Sequence, residues 1–162
     1  MNGPLSQALQ SVGIRVCHHP VLVTAPPPSW KAFDAAWHQR QQVDWVGFTS
    51  QRAVRGFSQR LATLGGSLAE LSHCEIACIG PSTAEAWVAL GGLPPLVPKV
   101  FHAEALGEVM LKTGIAAGHC CWLPQALQAR EVLGVLLREA GIKVLETPTY
   151  QILPAPSAAL RA

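Results

Sequence analysis

The chain has 162 residues, a length that suits one α/β domain with a full core. Hydrophobic residues make up 49% of it and charged residues 14%, which excludes an intrinsically disordered chain, and a formal charge of +2 is too weak to predict a nucleic-acid partner. No apolar run is long enough to span a bilayer, and the five cysteines, two of them adjacent, favour reduced thiols. We therefore expect a soluble cytoplasmic protein with no membrane partner.

The first 20 residues predict one helix and one strand. A helical pattern covers residues 5–12, and residues 14–17 indicate a short strand. A proline-rich, extended stretch follows at residues 23–30, and a second lies near the other end, at 145–156. A lone helix and strand cannot bury their own apolar faces. We therefore expect this piece to belong to a second domain, into which the rest of the chain is inserted.

Helical and strand patterns alternate between the two extended stretches. The predicted helices cover residues 30–37, 51–64, 83–90, 103–112 and 127–140, and the predicted strands cover residues 45–48, 75–80, 93–98, 119–124 and 142–148. Strands separated by helices of this length imply right-handed crossovers and a parallel sheet covered on both faces. Five strands fit a doubly wound, flavodoxin-like α/β domain, whose ligand sites lie at the carboxyl ends of the strands.

Polar turns follow three of the predicted strands, each at the predicted start of a helix. They contain Thr49, Ser50 and Gln51 after the first strand, Gly80, Ser82 and Thr83 after the second, and Gln125 after the fourth. A helix N-terminus offers unpaired N–H groups and a partial positive charge, so each turn can hold an anion without a lysine. The same hydroxyls are the usual N-caps of helices, and taken alone they favour capping, which is compatible with binding.

Several motifs occur together in an order and spacing that belong to one known family. They are DWVGFTSQRAV (residues 44–54), IGPSTA (79–84), AEAL (103–106), PQALQAREVL (124–133) and Tyr150. With these motifs the chain resembles the uroporphyrinogen-III synthases, cofactor-free enzymes that close the tetrapyrrole ring. One departure is Gln125-Ala126, where the family often has Arg-Gly.

The resemblance implies two α/β domains joined by a two-stranded linker, with the active site in the cleft between them. Residues 21–148 would then form the complete inserted domain, and residues 149–162 the return linker. Residues 1–20 would be a remnant of the other domain, whose first strand and C-terminal half are missing from this chain. The family is monomeric, whereas the unpaired N-terminal piece predicts a dimer or a domain swap for this chain.

The implied substrate is hydroxymethylbilane, a linear tetrapyrrole that bears eight carboxylates. The family reaction removes its terminal hydroxyl as water, inverts the last pyrrole ring and closes the macrocycle. By this resemblance Tyr150, the only tyrosine, hydrogen-bonds the departing hydroxyl and Thr83 orients the substrate, with neither cofactor nor metal. The expected substrate-binding residues are Thr49, Ser50, Gln51, Gly80, Ser82, Gln125 and Arg130.

Simpler roles stay open for several of these residues. Tyr150 can pack as a linker aromatic, and Arg130 can pair with Glu131 or face solvent. The runs Cys17-His18-His19 and His119-Cys120-Cys121 lack the spacing of metal ligands, and neighbours on a strand point to opposite faces. The five tryptophans are expected in the core or at a domain contact.

Three classes of function remain. The first is a uroporphyrinogen-III synthase, of which this chain is either an active form or an inactive fragment. The second is a non-catalytic flavodoxin-like module that binds a polycarboxylate or a protein partner. A flavin carrier is a weaker prediction, because the FTSQRAV turn has hydroxyls but no glycines. The strand ends also lack the acidic cluster of a receiver domain.

Overall fold

The computed structural model describes residues 3–17 and 21–155, in which helices and strands alternate. Its helices are α1 Pro4–Ser11, α2 Lys31–His38, α3 Gln51–Thr63, α4 Pro81–Val88, α5 Ala103–Thr113 and α6 Val132–Glu139. Its strands are β1 Leu22–Ala25, β2 Trp45–Phe48, β3 Glu75–Cys78, β4 Cys120–Ala126 and β5 Lys143–Pro154. Short 3-10 turns at Arg40–Gln42 and Leu68–Leu71 precede β2 and β3.

The strands form one sheet in the order β1-β5-β4-β2-β3. β2 pairs in parallel with both β3 and β4, and β4 pairs in parallel with β5. The chain leaves β2 toward β3 on one side and returns to β4 on the other. In a doubly wound sheet such a divergence opens a crevice at the carboxyl ends of the strands, here between β2 and β4. The prediction of a doubly wound five-stranded α/β sheet is confirmed.

The membership of the sheet differs from the prediction at two places. Residues 93–98 do not form a strand: Leu96 alone bridges Ala77, donating its N–H to Ile76 and accepting from Cys78. The surrounding prolines remove the N–H groups that a longer ladder needs. The outer strand is instead β1, beside β5. Residues 14–17 also form no strand, because no ladder partner lies beside them among the described residues.

The segment between β4 and α6 also differs from the prediction. The helix predicted from residue 127 begins at Val132, because β4 continues its pairing with β5 as far as Ala126. A turn at residues 127–128 and an irregular stretch separate the two elements. Gln125 therefore lies inside a strand and Arg130 precedes the helix, and the predicted helix N-terminus at Gln125 is wrong.

One face of the sheet is covered by α2, α3 and α4. Phe33, Phe57 and Trp87 from these helices are buried in one cluster with Trp122 of β4. The ring of Trp122 lies 5.0 Å from that of Phe33 and 5.1 Å from that of Phe57, in tilted and edge-on arrangements that aromatic pairs favour. Helical spacing puts these side chains on inward faces, which is why the sequence pattern predicted the helices.

The other face is covered by α5 and α6. Leu106 and Met110 of α5 and Leu137 of α6 pack with Trp45 of β2 and Leu123 of β4. Because both faces of the strands are buried, β2 and β4 are apolar without alternation, as is usual in parallel sheets. The expectation that the tryptophans lie in the core is confirmed for Trp37, Trp45, Trp87 and Trp122.

The chain divides into two compact units, one of residues 1–23 with 153–162 and one of residues 24–152. Within the first unit, α1 is followed by a turn, and the Ala155 N–H donates to the carbonyl oxygen of Val21 at 3.0 Å. The second unit holds the layered sheet and helices α2 to α6. Among the described residues, no helix has the length and apolar character needed to cross a membrane.

Candidate functional site

The turn between β2 and α3 places a hydroxyl at the carboxyl end of the sheet. Ser50 has extended backbone angles, and its Oγ accepts a hydrogen bond from the Ala53 N–H at 3.1 Å, so Ser50 is the N-cap of α3. The same Oγ lies 3.2 Å from Oη of Tyr150, within hydrogen-bond distance. A residue 100 positions away in sequence thus meets the cap of α3.

The return strand β5 contains a β-bulge where it passes this turn. Gln125 and Ala126, adjacent in β4, face β5 residues two positions apart, so Thr149 has no residue opposite it. The Thr149 hydroxyl donates to the carbonyl oxygen of Gln125 at 3.2 Å, and the Leu127 N–H donates to the carbonyl oxygen of Tyr150 at 2.8 Å. Thr149 and Tyr150 are therefore both hydrogen-bonded to the end of β4 or to the turn that follows it.

The bulge turns Tyr150 to the face of the sheet opposite to the one that simple alternation gives. Before the bulge, Val144 packs in the core under α5 and α6, whereas Leu145 packs in the core under α2, α3 and α4. By alternation Tyr150 would share the face of Val144. It packs instead in the Leu145 core, as Ile152 does, because one inserted residue shifts the alternation by one.

Close packing of α3 on β5 holds the bulge from the other side. A Cβ added at Gly56 of α3 would collide with the carbonyl oxygen of Thr149 and lie 3.1 Å from its Cβ. Thr149 is only 2% exposed, so the strand has no free space to move into. The glycine is required because only a residue without a side chain permits this approach.

Two clefts open around the Ser50–Tyr150 pair. The strand-mouth cleft has a volume of about 480 Å³ and is lined by Thr49, Ser50, Gln51, Ile79, Ser82 and Thr83. The linker cleft has a volume of about 300 Å³ and is lined mainly by Thr24, Pro26, Trp30, Gln59, Thr149 and Tyr150. Arg52 and Arg55 of α3 line both clefts, whereas no carboxylate of residues 3–17 or 21–155 lines either one.

The hydroxyls of the second polar turn do not cap a helix. Gly80 is the N-cap of α4 and Pro81 occupies its first position, so capping explains Ser50 but neither Ser82 nor Thr83. Ser82 is exposed, and Thr83 is only 3% exposed at the floor of the strand-mouth cleft. The Thr83 hydroxyl has no hydrogen-bond partner among the described residues, which leaves it available to a ligand.

The structure brings together most of the predicted site residues. Thr49, Ser50, Gln51, Ser82 and Thr83 line one cleft, Gly80 lies beneath it as the cap of α4, and Tyr150 joins them through Ser50. Gln125 and Arg130 are different, since they line neither cleft. Arg52 and Arg55 were not among the predicted binding residues. Their spacing of three on a predicted helix, directly after the polar turn, was the available signal.

The described histidines and cysteines form no ligand cluster. Among residues 3–17 and 21–155, no group of three or more potential ligands lies close enough together to hold a metal ion. His18 and His19 are outside the described residues. Cys120 and Cys121 point into opposite cores, and burial raises the pKa of both thiols. Burial likewise raises the pKa of Cys78 to about 12.

Comparison with known proteins points to one family. A family model described as uroporphyrinogen-III synthase HemD matches residues 3–162. The uroporphyrinogen-III synthase of Synechococcus elongatus is 32% identical over 151 residues, which are 93% of this chain and 56% of that protein. The chain thus spans a little more than half the length of this curated relative.

Solved structures agree in fold. Crystal structures of uroporphyrinogen III synthase from Thermus thermophilus align with TM-scores of 0.71 for a mutant form and 0.64 for the wild type, at 23% and 24% identity. Each alignment covers 93% of this chain and 58% of that chain. The identities are low enough that these structures bear on the fold alone. Together with the family model and the curated relative, they place this chain in the uroporphyrinogen-III synthase family.

Proposed function

We propose that this chain acts in the synthesis of uroporphyrinogen III, by dehydrating cyclisation of hydroxymethylbilane with inversion of the last pyrrole ring. Family membership supports the reaction class. The observation that carries the assignment of the site is the Ser50–Tyr150 hydroxyl pair, which lies between two clefts that contain arginine and no carboxylate. Such clefts attract a polyanionic tetrapyrrole, whereas acidic walls would repel it.

In this proposal Tyr150 assists the loss of the terminal hydroxyl of the substrate. The Ser50 oxygen accepts from the Ala53 N–H, which leaves the Ser50 proton to donate to the phenol oxygen of Tyr150. The phenol proton is then directed to the departing hydroxyl, which leaves as water. The Ser50 proton and the N-terminus of α3 stabilise the negative charge that develops on the phenol oxygen.

We assign substrate binding to the residues that line the strand-mouth cleft. Thr49, Gln51 and Ser82 offer polar side chains at its wall, and the hydroxyl of Thr83, a residue only 3% exposed, orients the substrate above α4. Gly80 is the N-cap of α4, and the partial positive charge of that helix N-terminus can favour a carboxylate. A binding role for Gln125 and Arg130 stays a prediction that neither cleft supports.

The domain organisation is part of the same proposal. We assign residues 21–148 to an inserted α/β domain, residues 1–20 to a second domain and residues 149–162 to the return linker. The pairing order of the sheet supports a two-stranded linker, because β1 and β5 are neighbours. With the family's domain arrangement, Tyr150 on the return strand would face the substrate at the mouth of the inserted domain.

A coupled assay tests the activity of this chain. Hydroxymethylbilane is supplied, and the uroporphyrin isomers are separated after oxidation. We expect the type III isomer in excess over the type I isomer that forms spontaneously. Type I alone would contradict catalysis by these 162 residues and would favour the alternative of a non-catalytic module that binds a polycarboxylate.

The variant Tyr150→Phe tests the role of the phenol. We expect kcat to fall about a hundredfold with KM changed less than about threefold, because the variant removes a proton donor and keeps the ring. Thr113→Val is a matched control: it removes a hydroxyl that donates to the Val109 carbonyl oxygen on α5, outside both clefts. Unchanged kcat in Tyr150→Phe would reject the assignment.

A further inference from the structure

Arg52 and Arg55 differ from the other arginines of the helices and turns around them. Arg60, on the same helix, forms two hydrogen bonds with the carboxylate of Asp34, and Arg40 pairs with Glu70 at 2.6 Å. Arg52 and Arg55 have no acidic partner among the described residues. A guanidinium nitrogen of Arg55 lies 3.5 Å from the side-chain oxygen of Gln51. Two solvent-exposed guanidinium groups of the second unit are therefore left without a counter-charge.

The position of these two arginines in α3 is electrostatically unfavourable. The N-terminal turns of a helix favour acidic residues and disfavour cations, and residues three apart lie on the same side of a helix. α2 and α5 follow the rule, with Asp34 and Glu104 in their first turns, whereas the first turn of α3 contains no acidic residue. A bound anion would offset both the mutual repulsion of the arginines and their conflict with the helix dipole.

The surroundings of the pair favour an anion with an attached flat ring. Among the described residues, Arg52 and Arg55 are the only charged ones that line either cleft, and they belong to both. Trp30 gives the linker cleft an aromatic wall, and Gln59 adds an amide. Trp30 is held in place edge-on to Phe33, at 5.6 Å between ring centroids. A guanidinium forms two parallel hydrogen bonds with a carboxylate, so two of them suit two carboxylates.

We infer that Arg52 and Arg55 form a binding subsite for the two carboxylates of a single pyrrole ring, with the ring directed along Trp30 in the linker cleft. The identity of the ligand rests on the proposed function, since eight carboxylates on four pyrroles give two to each ring. The subsite fixes one ring of the tetrapyrrole beside Tyr150 while the strand-mouth cleft holds another. Arg52 and Arg55 thus help to position the tetrapyrrole relative to the Ser50–Tyr150 pair.

The test compares two stable porphyrins that differ in the number of carboxylates on each ring. Uroporphyrin I has an acetate and a propionate on every pyrrole, whereas coproporphyrin I has a methyl group in place of the acetate. Affinities for the 162-residue chain are measured by calorimetry at low and at physiological salt. We expect uroporphyrin to bind about tenfold more tightly, because one charge-assisted carboxylate contact separates the two ligands.

The variants Arg52→Gln and Arg55→Gln are expected to bring the ratio of the two affinities close to one. Arg55→Lys keeps the positive charge but loses the planar guanidinium that forms two parallel hydrogen bonds, so we expect an intermediate ratio of affinities. Lys112→Gln is the charge-matched control, because Lys112 is 79% exposed at its side chain, on α5 and outside both clefts. It should lower both affinities slightly and leave the ratio at its original value.

The outcomes separate this inference from the proposed function. An unchanged ratio in both glutamine variants overturns the subsite and leaves the proposed reaction standing. A ratio that falls equally in Lys112→Gln also overturns the subsite, because the change would then follow from the net charge of the chain and not from the position of the arginines. No binding of either porphyrin to the parent chain overturns both proposals. A collapsed ratio together with only type I product in the coupled assay supports the subsite and contradicts catalysis by this chain.

Discussion

The Ser50 hydroxyl interacts with two groups, the first turn of α3 and the phenol of Tyr150, and so links the helix cap to the proposed catalytic residue. As an N-cap it accepts from the Ala53 N–H, and as a neighbour it meets Oη of Tyr150 at 3.2 Å. Removing this hydroxyl would therefore weaken α3 and free the phenol at the same time. A variant at Tyr150 separates the two effects, because the cap is unchanged when the phenol is removed.

The cysteines illustrate how environment decides the chemistry of a residue type. Burial raises the pKa of Cys74 and Cys78 to about 12, and the charge of Asp44 adds to the effect at Cys74. The pKa of Cys121, in the core under α5 and α6, is raised by burial as well. Since the thiolate is the reactive form, these thiols are expected to be inert near neutral pH.

Thiol reactivity follows from burial and from these pKa values. With an aromatic disulfide reagent at pH 8, we expect exposed Cys17 to react quickly and Cys74, Cys78, Cys120 and Cys121 to react slowly in the folded chain. A higher pKa means less thiolate at a given pH, so the slow class should become faster as pH rises. Two or more fast equivalents per native chain would contradict this assignment, and Cys17→Ser, which should show none, identifies the fast thiol.

At the scale of the elements, the bulge in β5 decides where the proposed catalytic group points. Regular alternation would direct Tyr150 into the core under α5 and α6, away from Ser50. The unpaired Thr149 reverses the direction of the Tyr150 side chain. Gly56 of α3 packs directly against Thr149 and restricts its position. Bulges often re-aim side chains next to active sites, and this one has a direct geometric consequence.

The variant Gly56→Ala tests the contact between α3 and the bulge. We expect it to lower the free energy of unfolding by about 1–3 kcal/mol, because the new Cβ meets backbone that is buried and cannot give way. Gly107→Ala on α5 is the matched control: its Cβ would meet the end of the Leu136 side chain at 2.7 Å, which can rotate aside.

In that control the higher helix propensity of alanine, worth up to about 1 kcal/mol, opposes the crowding, so we expect little net change. Urea denaturation of both variants gives the comparison. If Gly56→Ala were as stable as the parent chain, the close contact between α3 and Thr149 would be rejected. The single tyrosine gives a second readout, since its selectively labelled NMR signal should shift in Gly56→Ala and stay in place in Gly107→Ala.

At the scale of the whole molecule, the first compact unit leaves several large apolar side chains exposed to solvent. In the first unit Leu5 is 73% exposed and Val12 71%, and Ile14 and Leu22 are also exposed. Exposed apolar side chains favour association when they form one patch. The predicted dimer or swap therefore stays a prediction with a physical basis in this unit.

Light scattering measures the association state directly. We expect the average mass to rise with protein concentration, and Leu5→Gln to reduce this rise. Leu93→Gln is matched in exposure, at 74%, and lies in the second unit, so we expect it to have little effect. A constant monomer mass across the concentration range would contradict self-association, and equal effects of both variants would contradict its location.

Features that depend on neighbours in sequence followed from the sequence alone. Hydrophobic periodicity over three to four turns was enough to predict α3 and α5, and the apolar runs at β2 and β4 predicted buried parallel strands. The polar turn at Thr49 and Ser50 and its place at the carboxyl end of a strand were predicted for the same reason. The order of the motifs also indicated the family, which the comparisons confirmed.

Features that depend on pairing across the chain were decided only by the tertiary structure. The length of β4, the single bridge at Leu96 and the late start of α6 depend on hydrogen bonds to distant strands. The bulge at Thr149 and its contact with Gly56 depend on register, which a one-residue shift reverses. The role inferred for Arg52 and Arg55 depends on the two clefts that they line, in which no described carboxylate offsets their charge. The net charge of a cleft depends on all the residues that line it, and the tertiary structure brings these residues together.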